Sequence, residues 1–208
     1  MPTAGSILGT DTTMKKTAFL FLLLCVGLTV FSQVWTETQL DSADTGKDIP
    51  DLSDVEKDAI LYINLARLYP GQFLKNELDD YVGTEKYGAY LKNSPYRKSL
   101  IRELKTRPAV GVLKFDPALY EYAKCFARES GEAGLVSHKR RNCADGNFAE
   151  CCSYGMETGR DIAMQWLIDD KVPGLGHRMN CLNGNYSKIG IAWRSHKRYR
   201  YCAVADLH

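Results

Sequence analysis

Two of the four histidines, His138 and His177, stand where a polar cleft could use them. His177 lies in Gly176-His177-Arg178, a short polar stretch that runs into the alternating segment Lys188-Ile189-Gly190-Ile191-Ala192-Trp193. Glu150 sits in FAECCSY, a strand-like run in which a carboxylate is unusual. Neutral imidazoles are good zinc ligands, and a nearby carboxylate can orient one or act as a base. Asp169 and Asp170 end the helical pattern around Trp166, where the helix dipole disfavours negative charge. Such a carboxylate is either a solvated helix end or a group aimed at the histidines. Asp169, one turn from Trp166, is the stronger candidate, with Asp170 as the alternative.

Three readings compete for these residues. One is a divalent-metal or catalytic cleft. A second is a zinc site built with cysteines: His177 and Cys181 are four apart and would share a helix face, and His138 is followed by Cys143, Cys151 and Cys152. The third is structural, with hydrogen-bonded histidines and cross-linked cysteines, and residue type alone favours it. The spacing matches no tight ligand pattern. No nucleophile stands out: there is no Gly-x-Ser-x-Gly elbow and no phosphate loop, and Ser137 merely abuts His138.

The N-terminus points to export. Lys15 and Lys16 precede the apolar run TAFLFLLLCVGLTVF, with small residues at Val30 and Ser32 near its end. Residues 14–32 therefore read as a signal peptide cleaved at Ser32-Gln33, with residues 1–13 as an upstream extension. The run is too short for a comfortable membrane span. Cys25 is a poor lipid-attachment site behind bulky Leu24. The destination is extracellular, or periplasmic in a two-membrane bacterium. With 27 basic and 25 acidic residues, the charge balance asks for neither nucleic acid nor a membrane surface. The runs Lys139-Arg140-Arg141 and His196-Lys197-Arg198 read as solvated turns.

Seven cysteines become six without the signal, and an even count in an exported chain favours disulfides. Fifteen full pairings are open. If FAECCSY is a strand, Glu150 shares a face with Cys152 and not with Cys151.

The elements that must position these groups are legible in outline. Residues 33–50 are polar and aperiodic, a flexible leader before a single domain over 51–208. Ser53 and Glu56 form a capping box for a helix carrying Val55, Ala59, Ile63 and Ala66 and stopping at Pro70. One or two weaker helices lie within 71–107, the better at 95–106. Asp116-Pro117 opens another, packed through Leu119, Ala123, Phe126 and Ser130; its Tyr120 and Tyr122 read as core or flank. Thr158 and Asp161 start the helix with Ile162, Ala163, Trp166 and Leu167, broken at Pro173-Gly174. A helical turn spans 177–182. Strands 187–194 and 199–206 close the chain through a hairpin at Ser195-His196-Lys197-Arg198. This order suits an α+β fold with helices on both sides of a small, mainly antiparallel sheet.

Four segments, over roughly residues 54–206, resemble the CAP superfamily of cysteine-rich secretory proteins, antigen 5 and pathogenesis-related class one proteins, and in particular its compact bacterial secreted members. They are YINLARLYP with Asn64 and Arg67; LKFDPALYEYAKCFA; SHKRR followed by FAECCSYG; and WLIDDKVPGLGHRMNCLNGNYSKIGIAW, the most specific. The resemblance implies an α-β-α sandwich whose cleft is lined by His138, Glu150, Asp169 and His177. Two departures stand out. Asp169 replaces the usual glutamate, and Cys151-Cys152 replace the Asn-Ile that follows the strand glutamate. The resemblance also implies a cleft able to hold labile zinc through His138 and His177, with sterol or lipid binding in some members and proteolysis proposed for a few. Fold alone assigns no activity. The leading expectation is a module that binds an extracellular lipid, glycan or protein ligand. A metal-dependent hydrolase with Glu150 as base is the alternative, and a structural disulfide-stabilised module is the third.

Overall fold

The computed structural model describes residues 35–208; the expected extension and signal segment at 1–32 lie outside them. The Ser53 capping box forms as the sequence indicates and opens helix α2 (Asp54–Leu68). Residues 33–50, expected as a leader, instead contain helix α1 (Glu37–Ala43), opened by a second capping box between Thr36 and Gln39. Trp35 holds this segment down, with its indole N–H donating to Glu77 at 2.8 Å and its ring 6.0 Å from that of Tyr69.

The chain continues through α3 (Pro70–Phe73), which widens into a π turn at Leu74–Leu78, and α4 (Pro95–Leu104). Strand β1 (Lys114–Phe115) leads into α5 (Pro117–Ala133), opened by Asp116 as its cap with Pro117 behind it. Strand β2 (Ala149–Tyr154), α6 (Gly159–Ile168), α7 (Gly176–Leu182), β3 (Lys188–His196) and β4 (Arg200–Leu207) complete the fold. The hairpin turn falls at 197–199, so His196 belongs to β3, where it is buried and accepts from the Arg198 and Tyr199 N–H groups. His196-Lys197-Arg198 is therefore not wholly a solvated turn. Among the described residues no helix is long and apolar enough to cross a membrane.

The strands order as β1-β3-β4-β2, with β1 parallel to β3 and the other pairings antiparallel. Helix α5 packs on one face of the sheet, and α2, α6 and α7 pack on the other. This is the expected α+β sandwich. Strand β1, two residues long, has no periodic signal and was not foreseen.

Two glycines set the close approaches. A Cβ on Gly190 in β3 would lie 2.0 Å from the Tyr120 nitrogen of α5. A Cβ on Gly159 would lie 2.4 Å from the Ala59 nitrogen, where α6 crosses α2. The helices lie on the sheet and on each other at backbone distance, and only glycine leaves room.

The six cysteines of 33–208 do not form three bridges. Cys125 and Cys143 are joined, tying α5 to the loop before β2, while Cys151, Cys152, Cys181 and Cys202 are buried thiols.

Gly190→Ala should destabilise the fold by about 1–3 kcal/mol or more, because neither backbone can yield alone. Urea unfolding followed by circular dichroism measures this. An unchanged midpoint would contradict the packing described for β3 and α5.

Candidate functional site

Strand β2 is an edge strand, and its alternation divides its side chains between the two layers. Cys151 faces the α7 layer, with its Sγ 3.8 Å from the His177 carbonyl oxygen. Glu150 and Cys152 face the α5 layer, alongside Asp206 and Val204 of β4. The loop after α5 brings His138 to this edge from one side, and α7 brings His177 from the other. Their ring centres lie 6.1 Å apart with planes inclined by 31°. The structure thus brings together all four residues singled out in the sequence, as two histidine–carboxylate pairs around an edge strand.

The first pair is His177 with Asp169. Asp169 ends α6 in the left-handed region, φ 57°, which swings its carboxylate away from the helix it closes. The carboxylate accepts from the His177 and Arg178 backbone N–H groups at 3.0 and 3.3 Å, and lies 2.7 Å from His177 Nδ1. The sequence placed this charge at an unfavourable helix C-terminus. It sits at the N-terminal end of α7, where the exposed N–H groups welcome it. Asp170 lines the same cleft but is not paired with a histidine; it accepts from the hydroxyl of Ser94, the cap of α4.

The second pair is His138 with Glu150, whose Oε1 lies 2.8 Å from His138 Nδ1. Glu150 does not act on the histidine alone. Its Oε2 accepts from Arg140 Nη2, and the same guanidinium bridges to Asp206 of β4 at 3.0 Å. Arg140 lies between the rings of Phe126 and Phe148, at 4.8 and 4.9 Å from their centres. It also donates to the Tyr122 carbonyl at 2.9 Å. The side chain is 5% exposed, so Arg140 is not part of a solvated turn, although Lys139 and Arg141 on either side of it are exposed as expected. Arg140 and Asp206 are the site residues that the sequence did not announce. A basic run looks solvated whatever it does, and Asp206 sits in an otherwise apolar strand whose partner strand is read only from register.

Electrostatics follow from this crowding. Asp206 is fully buried, and burial, with Glu150 nearby, pushes its carboxyl up to about 7 despite Arg140. Asp206, the deeper of two carboxylates on one guanidinium, therefore holds its proton to higher pH than an ordinary aspartate. The hydrogen bond to Glu150 pushes His138 up from its usual value, against burial and Arg140. Burial, and then Glu150, pushes the Cys152 thiol well above its ordinary range.

Zinc, implied by the CAP resemblance, can be tested against these donors. Each Nδ1 is directed at a carboxylate, which leaves each Nε2 as the free ligand atom, the usual support for a metal-binding imidazole. A ring centre lies about 3 Å from a zinc bound at its nitrogen, so rings sharing one ion stand about 5–6 Å apart. The observed separation fits. The His177–Cys181 zinc reading does not, because Cys181 is buried on the inner face of α7 and does not line the cleft.

The two pairs open on a cavity of about 360 Å3, walled by Tyr90, Leu91, Val136, Tyr154, Ile168 and Val172. Val136 and Tyr90 stand at its rim, 51% and 46% exposed.

The Asp206 shift has a signed consequence. The folded protein holds this proton between pH 3.8 and about 7 while the unfolded chain has released it, so the contribution falls as pH rises through that window. The stability of Asp206→Asn relative to wild type should therefore improve from pH 4 to pH 7, by up to about 4 kcal/mol. Parallel urea titrations across that range measure it, and a pH-independent difference would contradict the assignment.

The family model described as "CAP: Cysteine-rich secretory protein family" matches residues 99–207, just over half of the chain, a span that includes His138, Glu150, Asp169 and His177. An outer surface protein of Borrelia burgdorferi is structurally similar at 21% identity with a TM-score of 0.39, covering 47% of this chain and 77% of that one. No curated protein sequence matches. The chain belongs to the cysteine-rich secretory protein family, the CAP family.

Proposed function

We propose that this CAP domain is an exported binding module that takes an amphipathic ligand or partner segment into the cleft at the edge of β2, with a labile divalent cation held at its histidines. The observation that carries the reading is the pairing itself: two imidazoles, each oriented by a carboxylate, face each other 6.1 Å apart at the mouth of a part-apolar cavity. Its size of about 360 Å3 is within the range of small-ligand sites. Val136, Leu91, Ile168 and Val172 would take the apolar body, and the histidine end its polar head. Export rests on the segment at 14–32.

In this reading Asp169 fixes the His177 ring, and Glu150, itself clamped by Arg140, fixes the His138 ring. A divalent ion there supplies Lewis acidity and an anchoring point for an anionic head group. Binding is favoured over hydrolysis because both Glu150 oxygens are engaged, Oε1 by His138 and Oε2 by Arg140. Neither is free to take a proton from a water. The Cys152 thiol, held protonated by burial, is no ready nucleophile.

Isothermal titration with zinc tests the cation. The wild-type protein should release heat that is abolished in the His138→Ala/His177→Ala double variant, and identical isotherms would reject this part of the reading. A fluorescent fatty-acid analogue tests the apolar wall. Val136→Asp should weaken its binding about tenfold or more, the effect of losing most of a buried valine contact. Equal affinity in both proteins would place the ligand elsewhere.

A further inference from the structure

Cys152 is one of the places where this chain departs from what its resemblance implies, and it lines the cleft as well as packing on the core. A buried cysteine usually acts as a small hydrophobe. Here the sulfur has polar neighbours: its Sγ lies 3.6 Å from His138 Nδ1 and 3.6 Å from Glu150 Oε1, and those two atoms lie 2.8 Å from each other. Among the described residues this is the group of three potential metal ligands whose donor atoms converge.

The triangle can be compared with one face of a tetrahedral zinc site. Bonds of about 2.0–2.1 Å to nitrogen and oxygen and about 2.3 Å to sulfur place the ligand atoms about 3.6 Å apart along each edge that includes sulfur, and about 3.3 Å apart along the N–O edge. Both sulfur edges already have that length. The N–O edge is shorter because a hydrogen bond spans it, and it needs to open by only about half an ångström.

We propose that His138 Nδ1, Glu150 Oε1 and Cys152 Sγ form a three-ligand site for a zinc-like divalent cation, with the fourth position open to the cleft. This deepens the reading of the cleft as cation-binding and rests on it. It moves the ion from the two Nε2 atoms to the floor of the cleft, where the ion replaces the proton between His138 Nδ1 and Glu150 Oε1, and it adds a thiolate.

Charge supports this placement. Arg140 pairs with Asp206 on the far side and holds Glu150 through Oε2, so Oε1 faces only His138 and Cys152. The Glu150 carboxylate and a Cys152 thiolate together match a 2+ ion. Binding replaces the thiol proton: Cys152–SH and the ion give Cys152–S–metal, and the proton leaves to solvent. His177, held by Asp169 6.1 Å from the His138 ring, then stands across the cleft as a hydrogen-bonding wall for whatever takes the fourth position. A ligand with an anionic head on an apolar body suits that position and the cavity beside it.

Cobalt(II) discriminates, because a thiolate on tetrahedral cobalt gives a near-ultraviolet charge-transfer band that imidazole and carboxylate do not. The full chain, kept reduced with a non-thiol reductant, is titrated with cobalt. Wild type should bind and show the band. Cys152→Ser and the apolar Cys152→Val should both lose it and bind at least tenfold more weakly, while His177→Ala should keep it. Circular dichroism of each variant confirms folding, and the valine variant keeps the test open should serine disturb the strand. Binding without the band, or a band that survives both Cys152 substitutions, would overturn this site yet leave a cation-binding cleft standing. An absence of any cobalt binding would overturn both.

Discussion

The position of His177 depends on two buried guanidinium groups. Helix α7 has seven residues, an N-cap residue, Leu175, that is left-handed and offers no side-chain cap, and a first turn held only by the distant Asp169, so it has little stability of its own. Arg178 anchors its front: it donates to the Leu167 and Ile168 carbonyls at 2.7 and 2.8 Å and to the Tyr96 carbonyl at 3.0 Å. Arg67 anchors its back, donating to the Cys181, Asn183 and Tyr186 carbonyls at 2.7, 2.9 and 2.7 Å. Burial lowers both guanidinium groups, Arg67 to about 10, which still leaves it charged at neutral pH. The charges are tolerated because their N–H groups meet backbone carbonyls, among them those of Leu167, Ile168 and Cys181 at the ends of α6 and α7. The same contacts force the reversal after Ile168 that turns Asp169 onto α7.

That dependence explains what could be read in the sequence. Caps are local, so Ser53 with Glu56, Asp116 with Pro117 and Thr158 with Asp161 announce their helices within four residues. Thr36 with Gln39 carries the same signal, and it was outweighed by the polar composition around it. The alternation in FAECCSY correctly put Glu150 and Cys152 on one face. By contrast, the aim of Asp169 is set by a left-handed backbone held from Arg178, 9 residues away, and by α4, beyond any local pattern. Arg140 is hidden for a related reason. Only the convergence of Phe126, Phe148 and Asp206 makes one member of a basic run internal. The number of bridges was equally illegible, since an even cysteine count says nothing about which thiols the fold brings within reach.

The two halves of the cleft differ in how they are held. His177 rests on a carboxylate fixed by two backbone N–H groups, and its side chain is 19% exposed. His138 belongs to a loop secured at a distance, by the Cys125–Cys143 bridge and by Glu129, which accepts from the Arg141 and Asn142 N–H groups. Its side chain is 57% exposed. The α7 side is a fixed wall set by the core, and the His138 side is an arm whose direction is fixed mainly by Glu150. Glu150 in turn is set by Arg140, so the charge state of one buried cluster controls how firmly the arm is held. A cation or an anionic ligand entering the cleft changes that cluster directly, whereas it meets the His177 wall already in place. Recognition in this fold is therefore preorganised on one side and electrostatically coupled on the other.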